Sequence, residues 1–344
     1  MTNIGIIGAG FMGMIHYLAY QKLGGAKVAA LCETDEKRLA GDWTSIKGNF
    51  GPQGEMMDLT GIAKYPEVEG MLADSNVEMV DICLPPSLHA PTAIAALEAG
   101  KHVFCEKPIA LNPADAERMV AAAERAGKML MIGHVLPFFP EYNFAYKAIT
   151  GGEFGKLLGG HFKRVISDPT WLPDFYNPAT TGGPMLDLHV HDAHFIRLVC
   201  GMPASVQSVG SMRGEVVERF TTQFRFADPE LVVTAASGVI DQQGRPFTHA
   251  YEIYLEKATM FFEYAGLAET DDIVTPLTVL TEDGKVDRPE LSSVDAFEAE
   301  LEEVVSAVEA GTPSPILTGE LARDAVILCQ KQTQSVEQGQ AVRL

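Results

Sequence analysis

Apolar runs and amphipathic helical patterns alternate along residues 1–132. Continuous apolar runs predict strands at 3–7, 27–32, 77–84, 101–105 and 129–132. Apolar residues at helical spacing predict helices at 12–23, 89–99 and 113–126. Strands that are apolar on both faces and separated by helices are typical of a parallel, doubly wound α/β sheet.

The pattern changes after Gly133. Strand-like runs then follow one another with few helices between them, at 221–226, 231–237, 251–255 and 259–264. This order favours an antiparallel sheet, because antiparallel strands need only short connections. Helical patterns return at 296–310 and 319–339, and the stretch 48–61, which contains glycine and proline, predicts a long loop.

A glycine motif joins the first strand to the first helix. Gly8 would allow the tight turn after the strand, Gly10 the close approach of a pyrophosphate, and Gly13 close packing of the helix. Phe11 and Met12 lie inside the motif, where N–H groups at the start of the helix can face the phosphates. The motif therefore predicts a dinucleotide-binding Rossmann domain over residues 1–132. Residues 133–344 are predicted to form an α+β domain with a mostly antiparallel sheet.

Glu33 follows the second predicted strand. It stands about 20 residues beyond the last motif glycine, where an acidic residue can bind the ribose hydroxyls of adenosine. A carboxylate there repels a 2′-phosphate, so the sequence favours NAD over NADP as the cofactor. Lys37 and Arg38 keep NADP open as the less favoured alternative, and a solvated strand end is the other interpretation of Glu33.

The charge of the chain argues against nucleic acid as a partner. The 344 residues carry 46 acidic and 26 basic side chains, a net charge of -20, and such a surface repels a phosphate backbone. The sequence has no run of about 18 apolar residues and no basic segment before an apolar one, so we expect no membrane partner and a cytoplasmic location. The five cysteines are widely spaced within apolar stretches, which indicates reduced, buried thiols.

Lys107 is the first candidate for chemistry. It follows the strand predicted at 101–105, with Glu106 between them, so we expect its side chain at the carboxyl edge of the sheet, beside the nicotinamide. An ammonium beside a reacting hydroxyl favours the alkoxide that develops as hydride leaves. The alternative is a surface lysine paired with Glu106.

A second cluster lies between residues 182 and 194. Asp187 and His191 are four residues apart, so on a helix the carboxylate can orient the imidazole, which makes His191 the candidate general base. His189 and His194 would project elsewhere, as packing or supporting residues. A metal site is the rival hypothesis, because histidines and aspartates offer imidazole and carboxylate ligands. The zinc-protease pattern His-Glu-x-x-His is absent, and we predict no metal.

The order of these motifs resembles the Gfo/Idh/MocA family of glucose–fructose oxidoreductases and inositol dehydrogenases over nearly the whole chain. The matching elements are the glycine motif, Pro85 to His89, Glu106-Lys107-Pro108, the Gly-Gly segment with Asp187 to His191, and Ser335 to Gly339. The resemblance implies that Lys107, Asp187 and His191 form the catalytic group, with His191 taking the hydroxyl proton while hydride passes to the nicotinamide. It adds a further set of cofactor-binding residues: Pro85, His89, Glu106 and Lys107.

The resemblance also implies that the second domain binds the substrate and forms subunit interfaces through a large open sheet, in homodimers or homotetramers. Two departures concern the site. His189 and His194 stand where many members have glycine and aspartate, although a subgroup shares a similar pattern. Pro137 lies where an arginine that would touch the substrate is often expected, so the identity of the substrate stays open.

These features predict an NAD-dependent oxidoreductase acting on a secondary hydroxyl of a sugar, a sugar acid or an inositol-like cyclic polyol. The alternative is a glycosidase or lyase in which tightly held NAD transiently oxidises the sugar. A third hypothesis is a sensor or regulator with this fold. The presence together of Lys107, Asp187 and His191 argues against it.

Overall fold

The computed structural model describes residues 1–48, 50–172 and 174–344. The chain divides into two compact units, one formed by residues 1–135 and 294–323 and the other by 136–293 and 324–344. It leaves the first unit close to the predicted boundary at 132. The segment 294–323 then returns to the first unit, so the chain crosses between the two units more than once. That the first part binds the cofactor and the second binds the substrate stays a prediction.

The strands of the described residues belong to two sheets. In chain order the strands are β1 (Thr2–Ile7), β2 (Ala26–Cys32), β3 (Ala63–Tyr65), β4 (Met79–Ile82), β5 (His102–Glu106), β6 (Leu130–Gly133), β7 (Leu157–Ser167), β8 (Ser205–Arg213), β9 (Val216–Arg225), β10 (Val232–Ile240), β11 (Thr248–Leu255), β12 (Ala258–Ala265), β13 (Ile273–Thr281), β14 (Val286–Asp287) and β15 (Val342–Arg343). The first six form one sheet and the remainder form the other.

The described helices vary from one turn to five turns in length. In chain order they are α1 (Phe11–Tyr20), α2 (Glu36–Ala40), α3 (Val68–Leu72), α4 (His89–Glu98), α5 (Pro113–Ala126), α6 (Pro140–Gly151), α7 (Val190–Cys200), α8 (Ala296–Ala310) and α9 (Gly319–Gln338). Short 3₁₀ segments lie at Pro86–Leu88 and Leu136–Phe138, and a π-helical turn at Met185–His189 precedes α7.

The first sheet is parallel throughout, in the order β3-β2-β1-β4-β5-β6. Every residue of β4 is buried, and β1 is nearly as buried, because helices cover both faces of a doubly wound sheet. The predicted α/β fold of this part is therefore confirmed. Since parallel strands share one carboxyl edge, the glycine motif, Glu33, Pro85 and Lys107 all follow strands at that edge.

Several predicted element bounds differ from those of the structure. The helices predicted at 113–126 and 296–310 match α5 and α8, whereas α1 starts one residue before the prediction and ends at Tyr20. The strand predicted at 101–105 runs to Glu106, so Glu106 belongs to β5 and not to the loop after it. The sequence pattern does not predict α6, because its Tyr142, Phe144 and Tyr146 alternate with the period of a strand.

Helix α8 returns to the first unit because it packs against α1. Its apolar side chains Leu301, Val304 and Val305 are buried there. Lys22, just beyond α1, also forms an ion pair with Glu298 of α8. The amphipathic pattern of 296–310 predicts a helix with one apolar face, and it does not predict which element that face meets.

The second sheet has the order β14-β13-β12-β11-β7-β10-β9-β8-β15. Its described pairings are antiparallel except that of β7 with β10. One face packs with side chains of α6, α7 and the middle of α9, where Ala325, Leu328 and Cys329 lie, into a continuous hydrophobic core. The predicted mostly antiparallel sheet is confirmed.

Two further predictions concern composition. All five cysteines lie within the described residues and none forms a disulfide; Cys32, Cys105 and Cys329 are buried, whereas Cys83 and Cys200 are partly exposed. Within residues 1–48, 50–172 and 174–344, every helix is too short or too polar to cross a membrane.

Candidate active site

The glycine motif forms the tight turn between β1 and α1. Gly8 has a φ of +99°, and a Cβ there would lie 2.7 Å from the carbonyl oxygen of Cys83. A Cβ on Gly13 would lie 2.0 Å from the carbonyl oxygen of Gly8, so only glycine lets α1 start this close to the turn. A Cβ on Gly10 would meet no atom within 4 Å, which leaves space beside the backbone where a pyrophosphate is predicted.

Glu33 lies at the carboxyl end of β2 and bonds to the glycine turn. Its Oε2 accepts a hydrogen bond of 2.8 Å from the N–H of Ala9, and its Oε1 accepts one of 2.9 Å from the N–H of Asp35. The carboxylate is therefore oriented by the backbone on both sides. A carboxylate oxygen has more than one acceptor site, so binding of ribose hydroxyls is compatible with both bonds and stays a prediction.

The loop predicted at 48–61 packs on the first residue of α1. Its Asn49 lies outside the described residues, and Met56 of the loop forms an isolated β-bridge with Asp42, which precedes the loop. The Phe50 ring meets the Phe11 ring edge to face, with ring centres 4.8 Å apart, and stacks on Phe297 of α8. Because the Phe11 side chain packs against this loop, its predicted contact with the cofactor would be made by its backbone N–H.

Lys107 directly follows the last residue of β5, and Glu106 orients the backbone there. Glu106 Oε2 accepts a hydrogen bond of 3.0 Å from the N–H of Lys107. The His89 ring lies between the loop after β4 and the loop after β5. Its Nδ1 is 2.8 Å from the carbonyl oxygen of Pro108, and its Nε2 is 2.8 Å from the carbonyl oxygen of Leu84. Burial lowers the pKa of His89, which keeps the ring neutral, so one of the two nitrogens carries the proton.

His89 thus connects the loops that follow β4 and β5. Its ring is fully buried, and Pro85 begins the 3₁₀ turn that leads into α4. This burial supports a role in holding the two loops together at the carboxyl edge. Direct contact of Pro85 or His89 with the cofactor stays a prediction.

The second cluster begins with a change of helix type. Asp187 lies in the π-helical turn Met185–His189, and His191 lies in the first turn of α7. The α-helical spacing that predicts their pairing therefore does not hold over these residues, because a π-helical turn is wider than an α-helical one. The pairing of the two side chains stays a prediction.

His189 is part of the core of the second unit. Its ring is fully buried, meets Phe220 edge to face at 4.8 Å, and its Nε2 lies 3.0 Å from Nε2 of Gln332. Burial, assisted by the nearby Arg164 cation, lowers the pKa of His189 to about 4, so the ring is neutral at physiological pH. These contacts fit the predicted packing role of His189. His194 is also fully buried.

A buried ion pair holds the start of α7 to the sheet. Arg164 of β7 and Asp192 of α7 are 3% and 1% exposed, and Arg164 Nε lies 2.6 Å from Asp192 Oδ2 while Nη2 lies 3.2 Å from Oδ1. The fork of the guanidinium thus meets both carboxylate oxygens. Since Asp192 is the neighbour of His191, this pair fixes the turn that carries the candidate base. The sequence pattern did not single out Arg164.

The geometry of the second cluster does not favour the rival metal hypothesis. A metal needs three or more ligand atoms that converge. Within the described residues, the one group of three such atoms within 4.8 Å of one another is His16, Asp81 and Cys83, which lies in the first unit and not between 182 and 194. The sequence does carry a signal for this group, because His16 and Asp81 are polar residues within an otherwise apolar helix and an otherwise apolar strand.

Lys107 belongs to the first unit, whereas Asp187 and His191 belong to the second. Their convergence over one nicotinamide is a relation between the units and stays a prediction. Each unit carries some of the predicted site residues. In the first unit they lie at the carboxyl edge of the parallel sheet, and in the second they lie at the start of α7.

Two family models match the chain. Residues 2–134 match the GFO_IDH_MocA model, described as an oxidoreductase family with an NAD-binding Rossmann fold, and residues 142–261 match the GFO/IDH/MocA C-terminal domain. The chain belongs to the Gfo/Idh/MocA family. The predicted family, the oxidoreductase class and NAD as the cofactor of the first unit are thereby confirmed.

Several relatives of this Gfo/Idh/MocA protein have named activities. It is 28% identical over 357 aligned residues to the myo-inositol 2-dehydrogenase of Thermotoga maritima, covering 99% of this chain and 98% of that protein. It is 26% identical to the levoglucosan dehydrogenase of Pseudarthrobacter phenanthrenivorans, over 76% of this chain and 73% of that protein. A solved structure of an Agrobacterium radiobacter oxidoreductase in complex with NAD⁺, L-tartaric acid and magnesium has the same fold, with a TM-score of 0.80, 17% identity and coverage of 99% and 98% of the two chains.

Proposed function

We propose that this protein transfers a hydride between a secondary hydroxyl of a sugar, a sugar acid or an inositol-like cyclic polyol and the nicotinamide of NAD. The observation that carries the proposal is the place of Lys107, directly after β5 at the carboxyl edge of an NAD-binding parallel sheet. Relatives named for inositol and levoglucosan oxidation support the substrate class. The open space beside Gly10 and the oriented Glu33 carboxylate fit a bound dinucleotide.

The proposed roles of the residues follow from their charges. Bound NAD supplies the hydride acceptor. The Lys107 ammonium favours the alkoxide form of the reacting hydroxyl, and Glu106 orients the backbone from which that ammonium projects. His191 takes the hydroxyl proton, and Asp187 orients its ring and favours the imidazolium. Gly8, Gly10, Gly13 and the N–H groups at the start of α1 hold the phosphates.

A substrate panel tests the proposal. Inositols, aldoses and uronic acids are incubated with the protein and NAD, and NADH is followed by its absorbance. We expect steady, multiple-turnover formation of NADH with at least one class. Cleavage of glycosides with no net release of NADH would instead favour the transient-oxidation alternative. Binding of a sugar with neither reaction would contradict both and favour a sensor.

The cofactor preference is tested through Glu33. We expect the wild type to bind NAD more tightly than NADP, because the carboxylate repels a 2′-phosphate. Glu33→Gln keeps an oxygen that accepts from the Ala9 N–H but removes the charge, so the NAD to NADP affinity ratio should fall by at least about tenfold. Calorimetric titration of both dinucleotides measures the ratio. Tighter NADP binding by the wild type would contradict the role given to Glu33.

We also propose that copies of the chain associate through the second sheet. Val209, Val232, Ile273, Val274 and Val286 of this sheet each leave more than half of their surface exposed. Exposed apolar surface of this kind is typical of protein interfaces. Homodimers or homotetramers stay the predicted assemblies.

A further inference from the structure

A group of ionisable side chains is buried in the first unit, behind the carboxyl edge of the parallel sheet. His16 of α1, Asp81 of β4 and Glu300 of α8 are fully buried, and Glu106 of β5 is 8% exposed. Charged groups in the core of a parallel sheet are costly unless they are paired and hydrogen-bonded. The group therefore needs an explanation that ordinary packing does not provide.

The side chains form a line that ends at the backbone of Lys107. Asp81 Oδ2 lies 2.9 Å from His16 Nδ1, and Glu106 Oε1 lies 3.3 Å from His16 Nε2. The other oxygen of Glu106 accepts the N–H of Lys107 at 3.0 Å. One imidazole thus connects a carboxylate in the core with the carboxylate that orients the proposed catalytic segment.

The neighbours of the His16 imidazole raise its pKa. Burial lowers the pKa of His16, but Asp81 and Cys83 raise it more, so that it lies well above the usual value. With both ring nitrogens protonated, Nδ1 donates to Asp81, whereas Nε2 faces Glu106 Oε1 at ion-pair distance and without a hydrogen bond. Burial and the nearby Glu106 raise the pKa of Glu300, which keeps that third carboxyl protonated. The line accordingly centres on the His16 ring, with Asp81 at one ring nitrogen and Glu106 facing the other.

Neighbouring strands and side chains limit where the Glu106 carboxylate can lie. A Cβ on Gly133, which pairs with Glu106 across β5 and β6, would stand 3.2 Å from Glu106 Oε1, so the neighbouring strand leaves just enough room for this oxygen. The His16 ring lies on its other side and packs near Phe104, with ring centres 5.7 Å apart. With Oε1 held in this way, Oε2 is directed at the N–H of Lys107.

We propose that His16 is a positioning residue of the reaction, which acts through Glu106 to hold the backbone of Lys107 in the orientation that hydride transfer requires. This inference rests on the proposed function. Since a reacting group misplaced by about 1 Å can lose on the order of a hundredfold in rate, a residue that touches neither substrate nor cofactor can still control turnover. The contact that matters for turnover is then the one from Nε2 to Glu106, and the contact from Nδ1 to Asp81 serves mainly the fold.

Two matched variants separate these contacts. Glutamine places its amide nitrogen near the position of Nε2, so His16→Gln keeps a donor toward Glu106, whereas His16→Asn keeps one near Nδ1, toward Asp81. Both variants are neutral, so the loss of charge is the same. We expect kcat to stay within about fivefold of the wild type in His16→Gln and to fall by about tenfold to a hundredfold in His16→Asn, with KM and the NAD dissociation constant within about threefold in both.

Stability should follow the opposite order. His16→Gln leaves the buried Asp81 without its imidazole donor, so it should have the lower midpoint of thermal unfolding although it has the higher kcat. A structural role alone predicts that kcat and the unfolding midpoint fall together. Equal kcat values in the two variants, or a higher kcat in His16→Asn, would overturn the proposal.

A double-mutant cycle covers the case in which His16→Gln, the variant expected to be less stable, does not fold. Glu106→Gln removes the charged partner, and we expect kcat to fall by about tenfold. Because His16 acts through Glu106, adding Glu106→Gln to His16→Asn should lower kcat by less than about twofold further. Losses of kcat that multiply in the double variant would overturn the proposal. One tightly bound zinc per wild-type chain that is lost in Cys83→Ser would also overturn it, because a metal held by His16, Asp81 and Cys83 would take the place of the proton on the imidazole.

The proposed function is checked separately through Lys107. If Lys107→Ala keeps full turnover, the catalytic assignment on which this inference rests fails. If Lys107→Ala loses turnover while His16→Gln and His16→Asn behave alike, the positioning role alone fails.

Discussion

Replacing Lys107 with alanine is expected to lower turnover by at least about a hundredfold, the low end for lost acid–base assistance, while NAD binds nearly as in the wild type. The Lys107 ammonium is proposed to favour the alkoxide of the substrate, whereas the proposed binding residues for the dinucleotide, the glycine turn and Glu33, lie at other strands of the sheet. Steady-state kinetics and NAD titration measure the two effects. Lys64→Ala, at an exposed position of β3, is the matched control and should leave both unchanged.

His191→Ala is expected to give a loss of the same size, because it removes the proposed proton acceptor. His161→Ala, on an exposed position of β7 in the same unit, is its control. The double variant Lys107→Ala with His191→Ala tests whether the two groups act on one hydroxyl. When two residues act as a unit, replacing both lowers turnover little more than replacing one. When they act independently, the two losses of turnover multiply. Wild-type turnover in either single variant would remove that residue from the catalytic group.

Asp192→Ala is expected to lower the free energy of unfolding of the second unit by about 3–5 kcal/mol, because it leaves the buried Arg164 guanidinium without a counter-charge. Urea unfolding followed by circular dichroism measures the loss. Lys156→Ala removes an exposed ion pair with Asp228 and is the control, which should leave the urea midpoint nearly unchanged because solvent screens exposed pairs.

A second variant separates the ion pair from simple packing. Arg164→Met combined with Asp192→Leu replaces both charges with apolar side chains of similar size, so it should be more stable than Asp192→Ala alone. A double variant at least as unstable as Asp192→Ala would show that volume, and not charge, determines the cost. An unchanged urea midpoint in Asp192→Ala would contradict the importance of the pair.

Helix ends are predictable from the sequence where a local cap determines them. Asn112 caps α5 by accepting the N–H of Asp115, and Gly127, with a φ of +61°, ends the helix. Asp295 and Gly311 play the same roles for α8. These signals lie within a few residues of the ends that they determine, so 113–126 and 296–310 could be predicted to the residue.

The carboxyl-edge residues of the candidate site are predictable for a related reason. Gly8, Glu33 and Lys107 each follow an apolar run, and the carboxyl ends of parallel strands share one edge whatever their separation in sequence. Strand order is then enough to bring them to the same side of the sheet. No pairwise contact between distant side chains has to be known.

The sequence by itself thus determined the parallel sheet, the glycine turn, the capped helices and the residues that emerge where strands end, because periodicity and capping are local. Tertiary structure alone decided that α8 returns to α1, that His16 lies between Asp81 and Glu106, and that Arg164 pairs with Asp192. It also decided the π-helical turn before α7. Each of these depends on burial, which removes water from groups far apart in the chain and makes them one another's partners.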